Sequence, residues 1–406
     1  MPMKNYYYKC FSCGARWSSD EIEENDHYLC PNCAAKNEPH SPLIGCLQVF
    51  YDYKEIKSLY THDFFAKMKP GNTFQYPLLL PLKNEIPKII QDRMIMPVHN
   101  LYKISFDSYH ALFVLDETHN PTYSYKDRAS VLVIAKALEL GRDTICTAST
   151  GNAASSMSGM CAIAGIKSKI IVPNSIPQEK LVQIQMYGAE VEKVDGSYDD
   201  AYDISMKKSQ MHGWYNRNTA YNPLTTEGKK SGAFDIFLQL NCKAPDKVFV
   251  PTGDGSIISG IYKGFYDLKQ LDLIKKIPTL IAVQAGGSSS IIDYFESNEF
   301  LYKESSTLAD SISVNAPRNL YMAVDALKKT DGFGIKVSDD EILRAEKLLS
   351  QKYGYFVEPS AAAAWAGFIK YSKQSEAKGE KIVVLLTGSG LKDIKNAKRA
   401  LMMKEI

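Results

Sequence analysis

No stretch of the 406-residue chain approaches the roughly 20 consecutive apolar residues that a membrane-spanning helix needs. The opening residues Met1 to Tyr8 also lack the apolar core of a secretion signal, so the expectation is a cytoplasmic protein with no membrane partner. An excess of one charge is missing too. With 48 Lys and Arg against 46 Asp and Glu, the formal net charge is +2, which gives no electrostatic reason to expect nucleic acid as a partner. A small, neutral-to-polar substrate fits better. No internal repeat and no low-complexity tract is present, which excludes a repeat architecture. Cysteines number eight, four of them in Cys-x-x-Cys units, while Cys46, Cys146, Cys161 and Cys242 are scattered in apolar surroundings. That is metal spacing plus core thiols, and it excludes a disulfide framework.

What is present is an ordinary globular composition, 45% hydrophobic and 23% charged, in a chain long enough for two or three domains. At the N-terminus, Cys10-Phe11-Ser12-Cys13 and Cys30-Pro31-Asn32-Cys33 are two knuckles able to bring four thiolates to one tetrahedral zinc ion. About forty residues bury too little apolar surface to fold alone, and zinc would supply the missing stabilisation. A full set of four ligands leaves no open position, so the role is structural or interactive. The rival reading, a redox-active dithiol, is less economical for two units at ribbon spacing. Cys46 lies too far along to join the set, and His27 and His40 read as surface histidines. Residues 34–42, polar with two prolines, read as a linker.

Beyond it the chain alternates strands and helices, which predicts open parallel sheets in an α/β fold. The expected strands are Leu112–Glu117, Thr144–Thr147, Lys169–Pro173, Glu190–Val194, Trp214–Asn216, Asp246–Pro251, Leu280–Gln284 and Lys381–Leu386. Expected helices cover Ala129–Leu140, 152–164, Gln178–Tyr187, Ser197–Met211, Ser259–Leu268, Asp339–Lys352 and Ser360–Tyr371. The first is apolar nearly all round and should be buried between layers. Residues 296–320 look irregular. This gives a ribbon over 1–40, a larger domain over 43–141 and 223–406, and a smaller nested α/β domain over 142–222.

Four segments carry the chemistry. Asn120-Pro121-Thr122-Tyr123-Ser124-Tyr125-Lys126-Asp127-Arg128 sets one lysine between a polar turn and a long helix. An amine there, close to Val131 and Leu132, can lose hydration, have its pKa lowered and condense with an aldehyde. Taken alone, a solvated helix start is the simpler reading. Three more segments shift the balance: Thr147-Ala148-Ser149-Thr150-Gly151-Asn152-Ala153, Thr252-Gly253-Asp254-Gly255-Ser256 and Thr387-Gly388-Ser389-Gly390-Leu391-Lys392-Asp393. Each follows an apolar run that reads as a strand. In this order they resemble the fold-type II pyridoxal-phosphate enzymes, and most closely the threonine synthases. The resemblance covers the chain after about residue 70.

The resemblance implies a use for each segment. Lys126 would hold the aldehyde of pyridoxal 5'-phosphate and act as the catalytic amine. Gly253, Asp254, Gly255, Ser256 and Ile257, between a strand and a helix, form a cradle whose N–H groups suit the phosphate. The family loop carries Asn where Asp254 stands, and an acid beside a phosphate is unfavourable unless its side chain points away, for instance to cap the following helix. Ser149, Thr150, Gly151 and Asn152 precede a helix and suit the α-carboxylate of an amino acid, with Asn152 also reaching the cofactor's phenolic oxygen. Thr387 matches the hydroxyl partner of the ring nitrogen. Residues 77–81 followed by Pro97-Val98 resemble an entry segment that places a strand near the cofactor edge.

Two departures stand out. Tyr123 replaces a small glycine of the family motif, where its bulk would narrow the space near the reacting amine, and Tyr125 replaces a phenylalanine. Thr225 stands where many relatives carry an arginine that helps hold the phosphate of O-phosphohomoserine; Lys180, Arg128 and Arg318 are the candidates to replace its charge. The implied activity is conversion of O-phospho-L-homoserine and water to threonine and phosphate, by a homodimer acting on a small and possibly phosphorylated amino acid. Alternatives are a paralogue carrying out β-elimination or β-replacement, of the serine/threonine dehydratase or cysteate synthase type, and a non-catalytic regulator that binds a partner through the ribbon.

Overall fold

The computed structural model of the protein describes residues 6–107, 109–174, 176, 178–196, 198–374 and 379–404. Residues 1–5 and Ser197, the expected start of one helix, lie outside the described residues.

The chain opens with β1 (Tyr6–Cys10) and β2 (Arg16–Ser18), joined by β3 (Leu47–Tyr51) in an antiparallel sheet of order β2-β1-β3. Tyr6, Tyr8 and Cys10 alternate inward, as do Leu47, Val49 and Tyr51, so the period-2 pattern of each strand gives the sheet one buried face. Because β3 comes from beyond the polar linker, the ribbon's sheet is completed by the following segment. A buried polar cluster docks it on the body: Tyr6 and Tyr8 donate to Glu23, which faces the Lys136 amine at 3.1 Å.

Next come β4 (Leu101–Phe106) and β5 (Tyr109–Asp116), then β6 (Thr144–Ala148), β7 (Lys167–Pro173), β8 (Glu190–Val194) and β9 (Tyr215–Asn216), and finally β10 (Lys247–Pro251), β11 (Thr279–Ala285), β12 (Phe333–Val337) and β13 (Ile382–Leu386). Six of these form one sheet of order β12-β11-β10-β13-β5-β4, parallel except for the edge strand β4, and four form a parallel sheet of order β8-β7-β6-β9. The expected α/β class with two parallel sheets and a ribbon is the observed one. The all-apolar run Ile382–Leu386 is wholly buried inside the larger sheet, as continuous hydrophobic strands of parallel sheets are.

Elements sit within a few residues of their expected limits, with instructive shifts. The helix expected from Ala129 begins at Lys126, and the one expected from Ser259 begins at Ser256. Both therefore start directly at a candidate site residue. The first is buried from Asp127 to Ala137 and packs against the helices Leu224–Lys229 and Asn152–Ala164. The helices Ser290–Ser297, Leu320–Lys329 and Ile394–Leu401 and the edge strand β12 were not legible in the pattern. The proline-rich segment departs from expectation. Pro77–Leu79 is a 3-10 turn, the residues around Pro97 form no strand, and none of them lines the cavity described below. Three prolines, Pro77, Pro81 and Pro97, that cannot donate to a ladder and an exposed Val98 account for this.

Candidate active site

The four motif loops all leave the C-terminal ends of parallel strands: β5 leads to the lysine turn, β6 to Ser149–Asn152, β10 to Gly253–Ser256 and β13 to Thr387. Ligands of open α/β sheets bind in such positions. Here the loops surround one cavity of about 500 Å³, whose walls include Lys126, Ser149, Thr150, Gly151, Asn152, Gly253, Asp254, Gly255, Ser256, Ile257 and Thr387. That volume suits a small-molecule cofactor with its substrate.

The lysine turn is held by hydrogen bonds and ion pairs within itself and to its neighbours, although Asn120 Oδ1 and Ser124 Oγ are buried without a partner among the described residues. Asn120 donates to Glu117 at 2.6 Å and to the Ser124 carbonyl at 3.1 Å, and Asp127 accepts from the Thr122 nitrogen at 2.7 Å and from its hydroxyl. Arg128 lies buried between Glu117 and Asp235, each 2.7 Å away. What remains for the cavity is the Lys126 amine. Burial, then the positive charge of Arg217, lowers its pKa, opposed by Glu358 and Asp254.

Asn152 opens the helix Asn152–Ala164 and donates to Glu358 at 2.8 Å and to the Ser311 hydroxyl at 3.1 Å. Glu358 is buried, its pKa is raised chiefly by that burial, and it also lines the cavity. Across the cavity, the Gly253–Ser256 loop runs into the helix Ser256–Gln270. Gly255 has φ +90, and a Cβ there would lie 2.9 Å from that of Ala323, so conformation and space both require glycine. The Asp254 side chain is turned from the loop: its Oδ1 accepts the Arg318 nitrogen at 2.7 Å, and it does not cap the helix. Burial pushes its carboxyl up to about 6.

Thr225 is fully buried and spends its hydroxyl on the Asn222 carbonyl at 2.7 Å, away from the cavity. Of the cations named to replace the missing arginine, Arg128 is held in its internal ion pairs, Arg318 lines the cavity, and Lys180 lines an adjoining chamber of about 290 Å³ while paired with Asp310. The same chamber, not the main cavity, receives Tyr123, which is 47% exposed, so its bulk does not narrow the space around Lys126.

The structure adds three charged groups. Glu358 immediately precedes a helix with proline at its first position; Arg217 and Lys229, both fully buried, sit in polar stretches that gave no sign of burial. Arg217 donates to the hydroxyl of Thr219, a cavity residue, at 2.7 Å, and Lys229 to that of Ser256 at 2.9 Å.

Away from the cavity, the sulfurs of Cys10, Cys13, Cys30 and Cys33 all lie within 4.8 Å of one another, with Cys10 to Cys33 at 3.9 Å and Cys13 to Cys30 at 3.8 Å. A tetrahedron of zinc–sulfur bonds about 2.3 Å long has edges of about 3.8 Å, so the donor set fits such an ion.

Comparison with known proteins agrees with this geometry. The family of pyridoxal-phosphate dependent enzymes matches residues 94–388. The chain is 34% identical to a threonine synthase of Methanocaldococcus jannaschii over 97% of its own length and 94% of that protein's. The chain belongs to the threonine synthase family. A threonine synthase of Methanosarcina acetivorans is 33% identical, over 96% of this chain and 92% of its own. Among solved structures, threonine deaminase isoform 2 from Solanum lycopersicum superposes with a TM-score of 0.64 at 21% identity, covering 80% of this chain and 83% of its own. Maize serine racemase gives 0.62 at 21% identity, covering 75% and 92%. These structures share the fold.

Proposed function

We propose that the chain is a lyase that converts O-phospho-L-homoserine and water to L-threonine and phosphate with pyridoxal 5'-phosphate. The observation that carries this reading is the meeting of Lys126, Asn152, the Gly253–Ile257 loop and Thr387, from four distant segments, around one cavity. When bound, the cofactor supplies an electron sink beside the Cα of the amino acid.

The chain's own residues do the rest. Lys126 would hold the aldehyde carbon and, as the free amine, would take and return the proton at Cα, take a proton from Cβ and deliver one to Cγ, with phosphate leaving from Cγ and water adding at Cβ, a task its lowered pKa suits. Ser149, Thr150, Gly151 and Asn152 hold the α-carboxylate at a helix N-terminus. Backbone N–H groups of Gly255, Ser256 and Ile257 hold the cofactor's phosphate, and Asn152 its phenolic oxygen. Thr387 meets the ring nitrogen with a hydroxyl, which does not enforce a protonated ring, so more of the proton handling falls to Lys126. Cys10, Cys13, Cys30 and Cys33 hold a structural zinc ion. Among the described residues no helix is long and apolar enough to cross a membrane, and a cytoplasmic homodimer belongs to the same reading.

One observation favours a second reading. Thr225, turned into its own loop, supplies no cation to the cavity, which suits β-elimination or β-replacement on serine or threonine. Incubating the purified holoenzyme with O-phosphohomoserine, serine and threonine, and assaying threonine, phosphate and oxo acid, decides between them. Threonine and phosphate in equal amounts support the synthase; oxo acid from serine with no phosphate release overturns it.

A further inference from the structure

Among the described residues three lysines, Lys136, Lys229 and Lys230, have essentially no exposed surface, and they differ in one respect. Lys136 meets Glu23 and Glu139, and Lys230 meets Glu227 and Asp267. Around Lys229, among the described residues, no carboxylate comes within ion-pairing distance; its amine donates to one neutral hydroxyl, that of Ser256, at 2.9 Å. A buried ammonium with a single neutral acceptor is costly to maintain, and such groups are ordinarily paired. The position is nevertheless built with care. The Tyr125 hydroxyl donates to the Lys229 carbonyl at 2.7 Å, fixing this backbone beside Lys126. Gly260 lets the helix Leu224–Lys229 lie against the helix Ser256–Gln270, because a Cβ at 260 would come within 2.6 Å of the Lys229 Cβ.

We propose that Lys229 is the counter-charge of the phosphate seated on the Gly253–Ser256 loop, acting from behind the loop through the Ser256 hydroxyl. The inference rests on the reading that this loop takes the phosphate of the cofactor. Because the amine donates to Ser256 Oγ, the hydroxyl's own hydrogen is left to donate into the cavity, in line with the N–H groups of the helix N-terminus. Lys229 is thus a positioning residue. Its electrostatic setting agrees: burial, Lys126 and Arg217 all disfavour its charge, with Asp254 alone opposing them, and a phosphate dianion on the loop would supply the missing partner. Binding of the phosphorylated cofactor therefore takes up a proton that binding of pyridoxal does not.

The test compares pyridoxal 5'-phosphate with pyridoxal, which has the same ring and aldehyde but no phosphate, on the full chain freed of cofactor. Affinities are read from protein fluorescence and from absorbance. The wild-type protein is expected to prefer the phosphorylated form. Lys229→Met is expected to lose about ten- to a hundredfold in affinity for that form, the range of one charge-assisted hydrogen bond, and to bind pyridoxal as before. Lys229→Arg, which keeps the charge, should retain most of the preference, and Lys229→Gln should lose it. A methionine variant that keeps the wild-type preference overturns the inference. If the wild-type protein itself shows no preference for the phosphate, it is the reading of the loop that fails. Should the variants not fold, calorimetry of the wild-type protein in buffers of different ionisation enthalpy remains: greater proton uptake with the phosphate than without it is expected, and equal uptake contradicts the proposal.

Discussion

The carbonyl of Tyr123 accepts a 3.1 Å hydrogen bond from the backbone nitrogen of Ser389. Beside it Ser124 and Gly388 form an antiparallel bridge, and the Tyr125 nitrogen donates to the Thr387 carbonyl at 2.9 Å. The lysine turn and the hydroxyl turn are therefore one backbone unit, so the Lys126 amine and the Thr387 hydroxyl keep a fixed relation.

That stitching holds Tyr123 at φ +67, a left-handed conformation that costs an L side chain about 1–2 kcal/mol and glycine nothing. Glycine also makes the unfolded chain more flexible, which offsets about 0.5–1 kcal/mol of the relief. Tyr123→Gly should therefore leave stability in urea denaturation unchanged or raise it by up to about 1 kcal/mol. A clear loss would mean that the tyrosine ring's contacts in the side chamber outweigh the strain.

Asp254 offers a pH-dependent prediction. Its carboxyl, pushed up to about 6 by burial, carries a negative charge at neutral pH on the loop proposed to hold a phosphate. Affinity for pyridoxal 5'-phosphate should therefore rise as the pH falls through about 6. Asp254→Asn, which keeps the oxygen that accepts from Arg318, should bind several-fold more tightly at pH 8 and lose that part of the pH dependence. Weaker binding by the asparagine variant would show that the charge serves another purpose.

How much of this was legible in the sequence follows from the kind of interaction involved. Ser149–Asn152, Gly253–Ser256 and Thr387–Gly390 are small, polar turns after apolar runs, and local chemistry marks them. Glu358 and Lys229 carry no such mark. Lys229 stands in Glu227-Gly228-Lys229-Lys230, which reads as a solvated helix face until the close approach at Gly260 buries it. Edge strand β12 is half-buried along most of its length and has neither the alternation of a surface strand nor the apolar run of a central one. The partner of β1 was hidden for a different reason: β3 lies beyond a polar linker, and strand pairing across a linker leaves no local pattern.

The ribbon and the cavity are physically joined. Gly45 accepts from the Cys30 nitrogen at 2.8 Å, and Cys46 from the Phe11 nitrogen at 2.9 Å. A few residues earlier the same segment contributes His40 to the cavity wall, while the Ser41 carbonyl accepts from the Arg318 guanidinium at 2.9 Å. Arg318 in turn holds Asp254. Removing a bound metal with a chelator, or Cys10→Ser, should therefore lower the melting temperature and also weaken cofactor binding measured below that temperature. A lower melting temperature with unchanged cofactor affinity would show that the two regions act separately.

Glu346 is buried with neither carboxylate oxygen partnered among the described residues, and burial pushes its pKa up to about 8. The folded state then holds a proton that the unfolded state releases near pH 4.5, so this group makes stability fall between about pH 4.5 and 8 and level off above. Glu346→Gln should remove that slope and be more stable than wild type at pH 8 by on the order of 2 kcal/mol. Parallel stability profiles for the two proteins would refute the assignment.

The central claim is that one amine anchors the cofactor, and borohydride trapping followed by peptide mass mapping tests it most directly. The protein loaded with pyridoxal 5'-phosphate should absorb in the violet, lose that band on reduction, and carry the added mass on the peptide containing Lys126; Lys126→Ala should carry none. Label on Lys229 or on a surface lysine in place of Lys126, or no violet band at all, would contradict the account.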